Sequence, residues 1–98
     1  MAIDSAIIDK IKTVLFHHLD PQKDRVFIYG SRACDGGRKW SDIDIGIEST
    51  RNIPANTIRM LKEEFEESDI PYIIDITDFK SVSENFKIVA IQKTIAIN

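Results

Sequence analysis

Near the start of the chain, apolar residues fall at Ile3, Ile7, Ile8, Ile11, Val14, Leu15 and Leu19. This is the three-and-four spacing of an amphipathic helix with one buried stripe. Asp4 or Ser5 is placed to cap that helix, and Pro21 prevents it from continuing. Arg25-Val26-Phe27-Ile28-Tyr29 then reads as a short strand, apolar on both faces and therefore central in a sheet, and Gly30-Ser31 ends it. Residues 31–41 hold Asp35, Gly36, Gly37, Arg38 and Lys39, the composition of a turn-rich loop. From Asp42 to Glu48 the chain alternates strictly, which predicts a strand with its isoleucines on one face and its carboxylates on the other.

Asn52 to Pro54 opens a second helix with Ile58, Leu61 and Phe65 inward and Lys62, Glu63, Glu64, Glu66 and Glu67 outward as a solvated face. Tyr72 to Thr77 reads as a third strand, Phe86, Val89, Ala90 and Lys93 outline a last helix, and Thr94 to Asn98 is an extended tail. The predicted fold class is α/β: a small mixed sheet of three or more strands flanked by helices. The helix between the second and third strands is a crossover, so these two strands can lie parallel.

Composition narrows what such a fold can be. The 98 residues, 43% hydrophobic and 30% charged, suit a single domain spanning 1–98 with a modest core that folds alone. A net charge of −3 provides no global basic field, so strong nucleic acid binding is not expected. The single cysteine, Cys34, makes no intrachain disulfide, no apolar run approaches the ~20 residues that span a bilayer, and no secretory signal pattern is present. A reducing, cytoplasmic setting without membrane contact is the expectation.

Candidate chemistry begins with Asp42 and Asp44, which as positions i and i+2 of a strand share a face with backbones about 6.5–7 Å apart. Like charges at 4 Å repel by about 4 kcal/mol at an effective dielectric near 20. One reading places a divalent cation between them, with magnesium, a hard ion that accepts one or two carboxylates plus phosphate and water, the economical choice. The other leaves both acids solvated on an edge strand. Asp75 interrupts an apolar strand and is either a third member of that cluster or an acid at a strand end facing water. Gly30-Ser31 can bring backbone amides and a hydroxyl close to phosphate oxygens, although a Gly-Ser pair by itself is a turn. His17 and His18, adjacent on a helix, are expected to diverge, Cys34 has no evident base beside it, and Trp40 either stacks on a base or packs over the loop.

In combination, Gly30-Ser31-Arg32-Ala33 followed by Ser41-Asp42-Ile43-Asp44-Ile45 resembles the G-S-x-A … S-D-h-D-h signature of the DNA polymerase beta-like nucleotidyltransferase superfamily. Asp75 within Ile70 to Asp78 is similar to the third carboxylate of its minimal nucleotidyltransferase branch. The resemblance runs from Val26 to about Phe79. It implies transfer of a nucleotidyl group, AMP from ATP being the expectation, to an acceptor hydroxyl. It further implies that Asp42, Asp44 and Asp75 are catalytic, that Asp42 and Asp44 hold two magnesium ions while Asp75 ligates the catalytic one and helps activate the acceptor, and that Gly30 and Ser31 bind terminal phosphates. Beside that site, Ser41 can orient the first carboxylate by a hydrogen bond, and Arg32, Arg38 and Lys39 either offset phosphate charge or simply meet water. A HEPN-type helical toxin as partner, with this chain as antitoxin, also follows from the resemblance alone. One departure stands out: the branch commonly carries Arg-Gly where this chain has Cys34-Asp35. That replacement motivates an alternative, a binding module that neutralises its partner by contact. The expectation from 98 residues is that no dedicated domain grips a large acceptor, so that, if the chain is an enzyme, recognition comes from the acceptor itself, a partner chain or self-association.

Overall fold

A computed structural model describes residues 5–29 and 43–98. Its elements are α1 (Ser5–Leu15), β1 (Asp24–Tyr29), β2 (Ile43–Ser49), α2 (Ala55–Glu67), β3 (Ile74–Asp78), α3 (Glu84–Ala90) and β4 (Thr94–Ala96). The sheet order is β3-β2-β1-β4. β1 runs antiparallel to both neighbours, while β2 and β3, joined through α2, are parallel. The mixed α/β sheet and the central place of β1 are those the residue pattern predicts, and the tail supplies the fourth strand.

Alternation along β2 sets the two faces of the sheet. Ile43, Ile45 and Ile47 are completely buried and join Val26, Ile28 and Ile76 in a core closed by Ile11 and Leu15 of α1 and Leu61 and Phe65 of α2. Each such side chain contributes about 1.5–3 kcal/mol by leaving water. Because side chains alternate across a strand, this burial forces Asp44, Gly46 and Glu48 onto the opposite face.

That second face has a smaller core of Phe27, Tyr29 and Phe79, with Val82 and Ala90 packed against it. The Phe79 ring meets Phe27 edge-on at 5.0 Å and Tyr29 at 5.2 Å, within the range aromatic quadrupoles favour. Gly46 makes this possible: a Cβ there would lie 2.6 Å from ring atoms of both Phe27 and Phe79. α3 is capped by Ser83, whose hydroxyl accepts a hydrogen bond from the Phe86 amide at 3.1 Å. It buries no residue fully, and Lys93 lies beyond its end.

α1 ends earlier than the apolar stripe alone suggests. After Leu15 the amides of His17 and His18 bond to Val14 and Leu15 carbonyls three residues back, which tightens the chain into a turn while Leu19 still reaches the core. The turn leads into Asp24, 1% exposed at the start of β1. Its carboxylate accepts hydrogen bonds from Arg51 Nη2 (2.6 Å) and Nε (3.2 Å), from the Asp20 amide (2.8 Å) and from the Ser49 hydroxyl. Asn98 fastens the tail nearby: its Oδ1 accepts from the Val26 amide at 2.9 Å, and its Nδ2 donates to the carbonyls of Pro21 and Asp24, each at 3.0 Å.

Burial pushes the Asp24 carboxyl up, but the Arg51, Ser49 and Asp20 hydrogen bonds outweigh it and leave the pKa lowered to about 2. A depressed folded-state pKa contributes stability that is complete above the unfolded value near 3.9 and lost as pH falls through the folded one. Asp24→Asn should therefore cost about 1.5–3 kcal/mol at pH 7, the range for hydrogen bonds to charged groups. Urea midpoints of variant and wild type should converge as pH is lowered from 5 towards 2. Gly46→Ala should lower stability by about 1–3 kcal/mol through overpacking against the two rings, read as a drop in the thermal midpoint.

Candidate active site

The chemistry-bearing residues gather at one end of the second face, where β1 finishes and β2 and β3 begin. Parallel pairing sets Asp44 directly opposite Asp75, and antiparallel pairing sets Tyr29 opposite Asp44. Tyr29, Asp44 and Asp75 thus form a row across three strands about 4.8 Å apart. Asp44 is half-buried and Asp75 exposed. The next row is Phe27, Gly46 and Thr77. Between the rows, the hydroxyls of Tyr29 and Thr77 share a hydrogen bond of 3.0 Å. Burial, with the charges of Asp44 and Asp75 behind it, holds the Tyr29 phenol above its usual pKa, against the opposing effect of the Thr77 hydrogen bond. The phenol therefore stays protonated and lies within electrostatic reach of both carboxylates.

Two carboxylates registered side by side suit magnesium, which takes one or two carboxylates and fills its octahedron with phosphate oxygens and water. Among the described residues no group of three His, Cys, Asp or Glu is placed to hold a metal. The structure brings together Asp44 and Asp75; Asp42, Gly30, Ser31, Arg32 and Ser41 lie outside the described residues, as do Cys34, Asp35 and Trp40. Beside Asp75, a groove of about 490 Å³ runs between the end of α2 and the start of β3, past Lys62, Glu66 and Tyr72.

The family model described as Polymerase beta, Nucleotidyltransferase matches residues 9–98. The chain belongs to this family. It is 36% identical over 77 residues to a Haemophilus influenzae protein named Probable protein adenylyltransferase MntA, an alignment covering 79% of this chain and 66% of that protein. The family chain thus spans just under two thirds of that relative's length. Its fold is similar to a solved chain in a complex of tri-AMPylated Shewanella oneidensis HEPN toxin with MNT antitoxin, with a TM-score of 0.74 and 16% identity over 98% of this chain and 72% of that one. A toxin–antitoxin structure with AMP-PNP matches with a TM-score of 0.76 and 16% identity, covering 93% and 72% of the respective chains.

Away from the row, His17 and His18 do not diverge. Both lie past the last residue of α1, so the turn lets His17 Nδ1 and His18 Nε2 each reach an oxygen of Glu64 on α2 at 2.8 Å. The hydrogen bond from His18, followed by that from His17, holds the Glu64 carboxyl below its usual range. One member of the acidic face of α2 therefore clamps that helix to the turn after α1. Tyr29 and Thr77 carry no motif of their own; the available signal was an aromatic immediately before Gly30-Ser31 and a hydroxyl two residues after Asp75.

If Asp44 and Asp75 hold a cation, magnesium at ten times its Kd should stabilise the wild type by about 1.4 kcal/mol, seen as a higher thermal midpoint. Asp44→Asn and Asp75→Asn should each reduce that rise by at least half. Scanning fluorimetry across a magnesium titration makes the comparison.

Proposed function

We propose that this chain is a magnesium-dependent adenylyltransferase that moves AMP from ATP to a hydroxyl on a protein acceptor, with a HEPN-type toxin as partner and this chain as antitoxin. The observation that carries the proposal is the registration of Asp44 against Asp75 in a polymerase beta nucleotidyltransferase fold. The name of the Haemophilus relative and the HEPN and AMP-PNP complexes of the structural neighbours support the choice of AMP and of partner.

In this reading residues 1–98 work as one cytoplasmic nucleotidyltransferase domain. Among the described residues no helix is long and apolar enough to cross a membrane. Asp42, Asp44 and Asp75 are the catalytic carboxylates and the ligands of two magnesium ions. Gly30 and Ser31 take the terminal phosphates, Arg32 offsets their charge, and Ser41 orients Asp42. Held by these carboxylates, magnesium would supply positive charge for the charge that develops in an in-line displacement. The acceptor hydroxyl passes its proton to Asp75 as its oxygen bonds to the α-phosphorus and the bond from that phosphorus to the bridging oxygen breaks, and pyrophosphate departs. The exposure of Asp75 beside the groove supports an approach of the acceptor from that side.

The Cys34-Asp35 pair, where the branch commonly has Arg-Gly, favours a second reading in which neutralisation is by contact alone. Incubation with ATP labelled at the α-phosphate, magnesium and a purified HEPN-type toxin distinguishes the two. The transferase reading expects label on the toxin that falls at least a hundredfold with Asp44→Ala, and equal labelling by wild type and variant would sink it. Absence of label with the wild type, together with full neutralisation by a variant carrying Ala at 42, 44 and 75, would assign the contact mechanism.

A further inference from the structure

We propose that Tyr29 is a positioning residue: its hydroxyl, tied to Thr77 across β2, makes the phenol a strut that holds Asp44 beside Asp75. The inference rests on the reading that these two carboxylates share a divalent cation.

Tyr29 stands on β1 and Thr77 on β3, two strand spacings or about 9.5 Å away. Their hydroxyls nevertheless meet at 3.0 Å. Since Tyr29 is registered with Asp44 and Thr77 with Gly46, the side chain must cross β2 in the span between Asp44 and Gly46. The space above Gly46 is itself filled by Phe27 and Phe79, whose ring atoms stand where a Cβ would be. The phenol thus packs against the aromatic cluster from the register position opposite Asp44. Edge-on contacts with Phe79 at 5.2 Å and Phe86 at 6.0 Å support it, and it is only 8% exposed.

Two consequences follow for the carboxylates. The phenol is anchored in the register position next to Asp44, so the side of the row towards Gly46 is fixed by the bond it makes to Thr77. The hydrogen bond also joins β1 to β3 over the intervening strand, so the spacing of the row does not depend on backbone pairing alone. A cation site gains affinity when its ligands are already placed, and groups that orient metal ligands typically alter affinity by about 10–100-fold.

Direct binding of manganese, followed by the EPR signal of the free ion, tests this on the intact chain without nucleotide. Tyr29→Phe and Thr77→Val should each raise the manganese Kd by about tenfold. The double variant should bind no more weakly than either single one, because both remove the same bond. Thr77→Ser should restore wild-type affinity. Kd values within twofold of wild type in both single variants, with or without a lower thermal midpoint, overturn the proposal, as does a double variant whose loss is the product of the single losses. Asp44→Ala serves as the control. If it binds manganese as well as wild type, the cation reading falls and the strut with it; if it loses binding while Tyr29→Phe and Thr77→Val do not, only the strut falls.

Discussion

The arrangement depends on the burial of one side of β2. Ile43, Ile45 and Ile47 have no exposed surface, and the two-residue period of a strand leaves Asp44 no choice of face once they are packed. A slip of one residue would expose three isoleucines and bury Asp44 and Glu48, a cost of several kcal/mol that no local rearrangement offsets. The same alternation in β3, with Ile74 and Ile76 packed on the main core, turns Asp75 to the side of Asp44. Hydrophobic packing on one face thus fixes the electrostatics of the other.

That other face is not simply solvent. Its aromatic cluster gives the carboxylates a packed floor, and Gly46 admits the rings by having no side chain. The floor ends where the row of Tyr29, Asp44 and Asp75 begins, so apolar packing passes to charged groups within one strand residue pair. A protonated phenol at this boundary suits both sides, with an apolar ring against Phe79 and a hydroxyl held by Thr77.

Features that stabilise the fold without touching the row sit elsewhere. Asp24 and Arg51 form their pair at the opposite end of β1, and the His17, His18 and Glu64 clamp joins α2 to the turn after α1 on the far side of the sheet. Neither of these ties includes Tyr29, Asp44 or Asp75.

Local pattern determined which residues form strands and helices, which face of each is apolar, and that Asp44 and Asp75 are acids where a strand has little use for them. It also determined the family, through the ordered Gly30-Ser31, Asp42/Asp44 and Asp75 motifs, because the spacing of short motifs is a property of the chain itself. Only tertiary structure decided which residues meet. The Tyr29 hydroxyl finds Thr77 at a separation of 48 residues, and Asp24 finds Arg51 at 27, through strand register and turns that no window of neighbouring residues contains. The expected divergence of His17 and His18 failed for the same reason: it assumed a helix, and the chain had already turned. Register is chosen by the sum of burial over all strands at once, so a sequence states the preferences of each strand, and the packed sheet selects the alignment that satisfies them together.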